Sequence, residues 1–408
     1  MLSGMREHDG PLTRLRRGHE QSVLELLRKQ GPLSRAELGT RSGLSRTTLH
    51  DIVGGLLGSG VVVATTPQVE SRKRGRPVEK LSLDPAAGEA VGIDFARRAV
   101  HVAAVNFAHE VVGSASEPHA PDLSWPARVD IAEHLLADLA TGDRDRSRLG
   151  HLDALTGIGV GVVGPIADPG SEHAHAQGID DLPDLLRKRF GAPVLLDNNT
   201  RLAALAEAVW GAAADSGDVL YLRLSHGVGG GLVVGGALHR GRYGLSGEFG
   251  HITVDPHGRT CDCGKTGCLE TRACLDAVLC RYRETGGEAT GLGGFLDAVT
   301  AAEPAALDVL EHVGADVGGV LAAVCHVVGA GVIVVGGELA EAGPALLDPV
   351  ERALRHHLMP LAHHHVELRR ATLGETGSAL GGIALVLHES PLLTHYPRPA
   401  SEDSEDNA

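Results

Sequence analysis

Apolar residues recur along this chain with two different periods, and the places where one period gives way to the other mark its elements. From His19 to Gln30, Val23, Leu26 and Leu27 fall at helical spacing, and Gly31 with Pro32 stops the helix. Ser34 and Glu37 have capping-box spacing, in which hydroxyl and carboxylate satisfy each other's free backbone amides. A second helix is therefore predicted to start there and to end near Ser42 and Gly43. Ser45 caps a third, on which Leu49, Ile52, Val53, Leu56 and Leu57 form one apolar stripe while Arg46, Thr47 and His50 face away. Short apolar runs at 61–64 and 81–83 predict two strands. Helices joined by a tight turn and followed by a strand pair describe a winged helix-turn-helix. Between the strands, Ser71 to Pro77 is basic, so Lys73, Arg74 and Arg76 are placed to follow phosphates or enter a minor groove. Ser45, Arg46, Thr47 and His50 would meet base edges in the major groove.

The pattern changes after Asp84 and Pro85. Strands are predicted at 90–94, 100–105 and 110–113 as an antiparallel meander, then a helix near 127–139 and a buried strand at 157–163. A strand at 194–197 and a helix at 200–209 follow, then strands at 219–224 and 231–234 paired around a glycine turn. Helices near 269–282 and 305–327 precede a buried strand at 332–335, and helical segments continue to about His388. Periodicity alone makes this an α/β body. The chain divides into a flexible basic arm at 1–18, a winged helix-turn-helix at 19–84, a body at 85–396 and an acidic, disordered tail at 397–408.

Charge sharpens that division. The net charge of -15 argues against nucleic acid, but residues 1–80 hold 14 Lys and Arg against 8 Asp and Glu. A basic head on an acidic body confines DNA contact to the head. No apolar run reaches membrane-spanning length and no signal-like apolar stretch opens the chain, so a soluble, cytoplasmic protein is expected. Six cysteines do not form a disulfide framework in a chain of 408 residues. Cys274, Cys280 and Cys325 lie in apolar helical surroundings and are expected in the core.

The remaining three cysteines carry the most specific signal. His251, Cys261, Cys263 and Cys268 have the spacing His-x9-Cys-x-Cys-x4-Cys in a loop whose Gly258, Gly264 and Gly267 permit tight folding. Three thiolates and one imidazole make a closed tetrahedral set suited to structural zinc, with no open position for a catalytic water. The zinc loop thus spans 251–268. Glu248 and Glu270 flank it, and carboxylates at the ends of a rigid knot suit paired hydroxyls such as a sugar ring offers.

Glu-x-Gly-His from Glu248, followed by Cys-x-Cys-Gly-x-x-Gly-Cys-x-Glu ending at Glu270, resembles the signature of the ROK family, bacterial sugar kinases and sugar-responsive repressors. The resemblance implies that His251 and the three cysteines hold Zn2+, and that Glu248, His251 and Glu270, with Asn198, contact the sugar. It also implies that the two strand-rich sections form a duplicated actin-like ATPase fold carrying the zinc loop as an insertion. Active ROK kinases read Glu-Asn-Asp-Ala-Asn where this chain has Asp197, Asn198, Asn199, Thr200 and Arg201. An amide at 199 cannot accept the hydroxyl proton that a general base must take. The kinases' first phosphate loop, Asp-x-Gly-Gly-Thr, is Asp94-Phe-Ala-Arg-Arg98 here, and the second keeps its glycines but has His226 for the usual Thr.

A DNA-binding transcriptional regulator is expected, a repressor rather than an enzyme, whose body binds a sugar or sugar derivative without phosphorylating it. The alternative is an active ATP-dependent sugar kinase carrying a DNA-binding head, and a zinc-stabilised scaffold that has lost its ligand is a third reading. Operator DNA and a sugar are the expected partners of a homodimer or homotetramer, in keeping with heads that pair on palindromic sites. The run His363 to His365 is expected at the surface, because three successive residues cannot face one metal. No nucleophile elbow or cysteine nucleophile signature supports hydrolase chemistry.

Overall fold

The computed structural model describes residues 19–20, 22–24, 26–27, 30–58, 60–65, 79–84, 89–106, 110–141, 155–164, 166 and 181–389. The arm at 1–18, the basic residues Lys73, Arg74 and Arg76, and the tail at 397–408 lie outside the described residues.

In the head, a first helix α1 is seen at every described position from 19 to 30. It is followed by α2 (Arg35–Ser42), α3 (Arg46–Gly58) and the antiparallel strands β1 (Val62–Thr65) and β2 (Lys80–Leu83). The capping box forms as its spacing predicts: the Glu37 amide donates to Ser34 Oγ at 3.3 Å, and the Ser34 amide donates to Glu37 Oε2 at 2.7 Å. Gly43 takes the left-handed conformation that ends α2. Val23, Leu27, Leu38, Leu49, Ile52, Val53 and Leu56 are buried together, with Leu26 and Leu57 half-buried at the edge. Leu33 bridges Leu81 through backbone hydrogen bonds in both directions, adding a third short strand segment to the pair. All members of this core lie between residues 23 and 83, so the head is held by its own side chains. Ser34→Ala should lower the unfolding free energy of the head by about 1 kcal/mol, read as an earlier loss of helical signal in urea while the body transition is unmoved.

The body contains two five-stranded sheets of the same topology. In the first the order is β5-β4-β3-β6-β7, built from β3 (Glu89–Phe95), β4 (Ala99–Asn106), β5 (Val111–Pro118), β6 (Leu155–Val162) and β7 (Val194–Asn198). In the second it is β10-β9-β8-β11-β12, from β8 (Val219–Leu224), β9 (Val228–Val234), β10 (Ala237–His239), β11 (Val332–Gly336) and β12 (Glu367–Arg370). Each has an antiparallel meander on one side of its first strand and parallel partners on the other. That repeat is the duplicated actin-like fold.

Two helices, α6 (Asn199–Val209) and α12 (Gly377–Glu389), are shared between the halves. Leu202 and Leu205 of α6 pack with Tyr221, Val233 and the α12 residues Ala384 and Leu385. Ala206, on the same helix, packs with Ala90 and Ala103 of the first sheet and with Ala379 and Ile383. Further helices are α4 (Trp125–Thr141), α5 (Leu182–Phe190), α7 (Glu270–Ala273), α8 (Leu275–Glu284), α9 (Leu292–Thr300), α10 (Pro304–Val328) and α11 (Pro344–His357). Among the described residues no helix is long and apolar enough to cross a membrane.

Four expectations are corrected. The glycines at 229–231 belong to β9 and not to a turn, which is confined to Ser225–Gly227. They are needed for close approach: a Cβ on Gly230 would fall 2.2 Å from the Phe249 ring. The helix expected at 269–282 breaks at Cys274, whose extended backbone separates α7 from α8. Cys274 and Cys280 line the central cleft and are only half-buried, whereas Cys325 is in the core. Finally, α5, β10, α9 and β12 are additional elements.

Candidate metal centre and ligand cleft

His251 ends a short 3-10 turn, Phe249–His251, and the three cysteines follow on a loop pinned by bridges of Thr253 to Cys268 and Thr260 to Thr266. Gly267, with φ of 73°, lets the chain double back; a Cβ there would lie 1.5 Å from the Asp255 carbonyl oxygen. Lys265 Nζ donates to the His251 carbonyl at 2.9 Å, and Gly267 N donates to Arg259 O at 2.9 Å.

The ligand atoms of His251, Cys261, Cys263 and Cys268 all lie within 4.8 Å of one another. Cys263 Sγ is 3.6 Å from Cys268 Sγ, and Cys261 Sγ is 3.7 Å from His251 Nδ1. A tetrahedron with metal–sulfur bonds of about 2.3 Å has edges of about 3.7 Å, so the donor set has the dimensions that zinc requires. Burial pushes the Cys261 thiol up to about 12 and raises Cys268 as well, while the Lys265 backbone amide lowers Cys263. Three neighbouring thiols cannot all ionise without a cation between them.

Beside this knot opens a cleft of about 900 Å³ between the two sheets. Asn198, Glu248, His251 and Glu270 all line it, so the four residues chosen as sugar contacts converge on one cavity. His251 presents Nδ1 to Cys261 and Nε2 to Glu248, 4.0 Å from its Oε2, which leaves the second ring nitrogen toward the cleft. Burial raises the Glu248 carboxyl above its ordinary value, with His251 the main opposing influence. Glu270 begins α7; its Oε2 accepts from the Val228 amide at 2.9 Å.

Asn198 is less free than its motif suggests. It caps α6, its Oδ1 accepting from Thr200 N and Arg201 N, and its Nδ2 donates to the Gly164 carbonyl at 2.6 Å. Asn199, the residue in the general base's place, is buried on the cleft floor. Beyond it Asp94 is fully buried, and neither carboxylate oxygen has a hydrogen-bond partner of good geometry. Burial pushes its pKa up, an effect that Arg223 and His101 only partly offset.

On the head, Ser45, Arg46, Thr47 and His50 are all exposed at the start of α3, and Ser45 Oγ accepts from the Thr48 amide at 3.1 Å.

Sequence reasoning missed Arg201. It is among the largest fully buried side chains, with Nε 2.7 Å from Asp197 Oδ1 and further bonds to the carbonyls of Gly244 and Ile166. A charged residue inside a helix gives no local signal of burial.

Residues 129–389 match the ROK family. The chain is 32% identical over 317 residues to a glucokinase of Halalkalibacterium halodurans, a match covering 72% of this chain and 94% of that protein. It is 25% identical over 382 residues to the xylose repressor of Bacillus spizizenii, covering 92% of this chain and 96% of the repressor. Among solved structures, a ROK family transcriptional regulator homologous to the E. coli MLC protein superposes with a TM-score of 0.76 at 25% identity, over 93% of this chain and 98% of that one.

Proposed function

Because the chain belongs to the ROK family, we propose that it is a DNA-binding transcriptional repressor whose kinase-like body takes a sugar or sugar derivative as effector and does not phosphorylate it. What carries the reading is the presence in one chain of a winged head, with an exposed recognition face on α3, and of a polar cleft beside a metal-type knot. The repressor match extends over about a fifth more of the chain than the glucokinase match, a length comparable to that of the head.

The cleft supports binding and not phosphoryl transfer. Glu248, Glu270 and the free nitrogen of His251 supply acceptors and a donor for ring hydroxyls. At position 199 an amide can hydrogen-bond to the hydroxyl but cannot take its proton. His251, Cys261, Cys263 and Cys268 would hold zinc as a structural ion, fixing the backbone that presents His251 and Glu270. Ligand gripped from both halves favours a closed arrangement of the lobes. Heads carried by the two bodies of a homodimer, or of a homotetramer, then sit differently on paired half-sites. Operator affinity falls by the ratio of the ligand's affinities for the two arrangements.

An operator titration with a panel of hexoses, pentoses and amino sugars, run beside a coupled ATP-consumption assay, tests this. At least one sugar should change operator affinity while none supports turnover. Sugar-dependent ATP consumption at ordinary kinase rates, lost in Asn199→Ala, would overturn the reading in favour of an active kinase with a DNA-binding head.

A further inference from the structure

Asp94 is a buried carboxyl that the effector contacts leave without a task. It belongs to β3, in the first half of the body, and its side chain is fully buried with neither oxygen in a hydrogen bond of good geometry. The groups that face it come from each element packed around it. His101 lies opposite on β4, its Nδ1 bonded to Ser116 Oγ at 2.7 Å. On the other side β6 presents Gly161, where a Cβ would lie 3.2 Å from Asp94 Oδ1 and 3.1 Å from the Asn199 Cβ. Asn199 of α6 and Ser378 of α12 bring neutral groups from the two shared helices. From β8, in the second half, come Arg223 and the phenol of Tyr221, which burial pushes up to about 12 and so keeps neutral. Arg223 in turn faces three carboxylates, those of Asp94, Glu338 and Glu375. Glu338 opens the 3-10 turn after β11, and its Oε2 is also buried without a partner. One guanidinium cannot balance three carboxylates, and a proton on the most deeply buried of them relieves the excess.

Resting on the reading that an effector closes the two lobes, we infer that closure takes up a proton at Asp94, so that lobe position, and through it the response to effector, is sensitive to acidity. His101, Asn199, Arg223, Glu338 and Glu375 line the cleft, and Asp94 is sealed behind them. Burial raises its pKa above the ordinary carboxylate value, and Arg223 and His101 offset this only in part. Parting the halves withdraws Arg223 with β8 and admits water to the carboxyl. Hydration is the larger of these two changes, so the open arrangement returns Asp94 toward its ordinary value and it ionises. The closed arrangement is therefore favoured most at and below the ordinary carboxylate range. That advantage is lost as pH rises through the raised value. Because effector binds the closed arrangement, its affinity should decline over the same interval.

Two measurements on the full chain without any sugar test this. The first is infrared spectroscopy at about pH 6, where exposed carboxyls are ionised. Wild type should show a protonated carboxyl stretch that Asp94→Asn lacks; Glu248, also raised by burial, contributes to both and cancels in the difference. The second is hydrogen exchange of the turns at 96–98 and 225–227, which flank the cleft, from about pH 6 to about pH 8.5. Relative to Asp94→Asn at the same pH, wild type should lose protection by up to about tenfold per pH unit, the limit for one linked proton. Asp94→Asn mimics the protonated acid and should keep the protection it has at the acid end. If that variant does not fold, Arg223→Gln carries the test, since removal of the opposing cation should make the carboxyl stretch persist to higher pH. No difference in the stretch between wild type and Asp94→Asn, protection that falls equally in both, or a stretch in Arg223→Gln that vanishes at the wild-type pH or below each overturns the inference. Neither measurement uses a ligand, so failure here is distinct from failure of the effector reading, which the operator titration decides.

Discussion

Cys268→Ser should give a chain that holds no stoichiometric zinc, melts earlier in its body transition, binds operator DNA with unchanged affinity and no longer responds to effector. Cys268 is fully buried, its sulfur lies 3.6 Å from that of Cys263, and its backbone bridges Thr253, so it is both a donor and the closing strand of the knot. Structural zinc contributes about 10–16 kcal/mol to the folding of isolated zinc-finger peptides. The loop here is also held by packing, so the expected loss is smaller, on the order of several kcal/mol, enough to disorder residues 251–268. Glu270 lies two residues after Cys268 and His251 opens the loop, so two of the proposed effector contacts go with it. DNA affinity should survive because the head's core is drawn from its own residues. Metal content per protomer, calorimetry and operator anisotropy with and without effector read these effects separately. A variant that is metal-free yet keeps its full effector response would show that the knot does not position the cleft.

The parts of this molecule that sequence makes legible are those where function and fold use local spacing. The α2 capping box, the apolar stripe of α3 and the meander from β3 to β5 appear where their periods place them, because each element's partners lie within a few residues or one sheet face. The candidate metal ligands are legible for a similar reason, since a tetrahedral site made from one loop has to be written in the spacing of that loop. What stays hidden depends on distant contacts. The glycines of β9 resemble a turn until Phe249 and Ala204 are brought against them. The strand β12 reads Glu-Leu-Arg-Arg, an edge whose side chains say surface, and only its pairing with β11 makes it a strand. The interior Gly293 and Gly294 of α9 weaken its helical signal, while Phe295 and the neighbouring core stabilise it. In the site, the family resemblance sets Arg97 and Arg98 against the kinases' first phosphate loop, but the sequence does not say that they line the same cavity as Glu248.

The largest destabilisation from a single side chain outside the knot is expected at Arg201. Arg201 is 1% exposed, and its guanidinium lies against Asp197 through Nε at 2.7 Å and Nη2 at 2.6 Å. Asp197 is equally buried, accepts from the Asn198 amide at 2.7 Å and is paired with Arg240 as well. Breaking such a pair by removing one partner leaves an uncompensated charge in the interior, a cost of about 3–5 kcal/mol. Arg240, which is one-third exposed, keeps part of Asp197's charge balanced, so Arg201→Ala should fall toward the lower half of that range. The joint variant Asp197→Asn/Arg201→Met should cost less than Arg201→Ala alone, because no charge is then stranded. If the joint variant is instead the less stable of the two in urea unfolding, the penalty is one of packing and not of charge. A functional consequence accompanies the energetic one. Arg201 also binds the Gly244 carbonyl, in the segment that leads to Glu248, and Asp197 precedes the cap of α6. Loss of Arg201 frees both sides of the cleft at once, so effector affinity should fall in Arg201→Ala even at temperatures where the body remains folded, while operator affinity without effector stays unchanged.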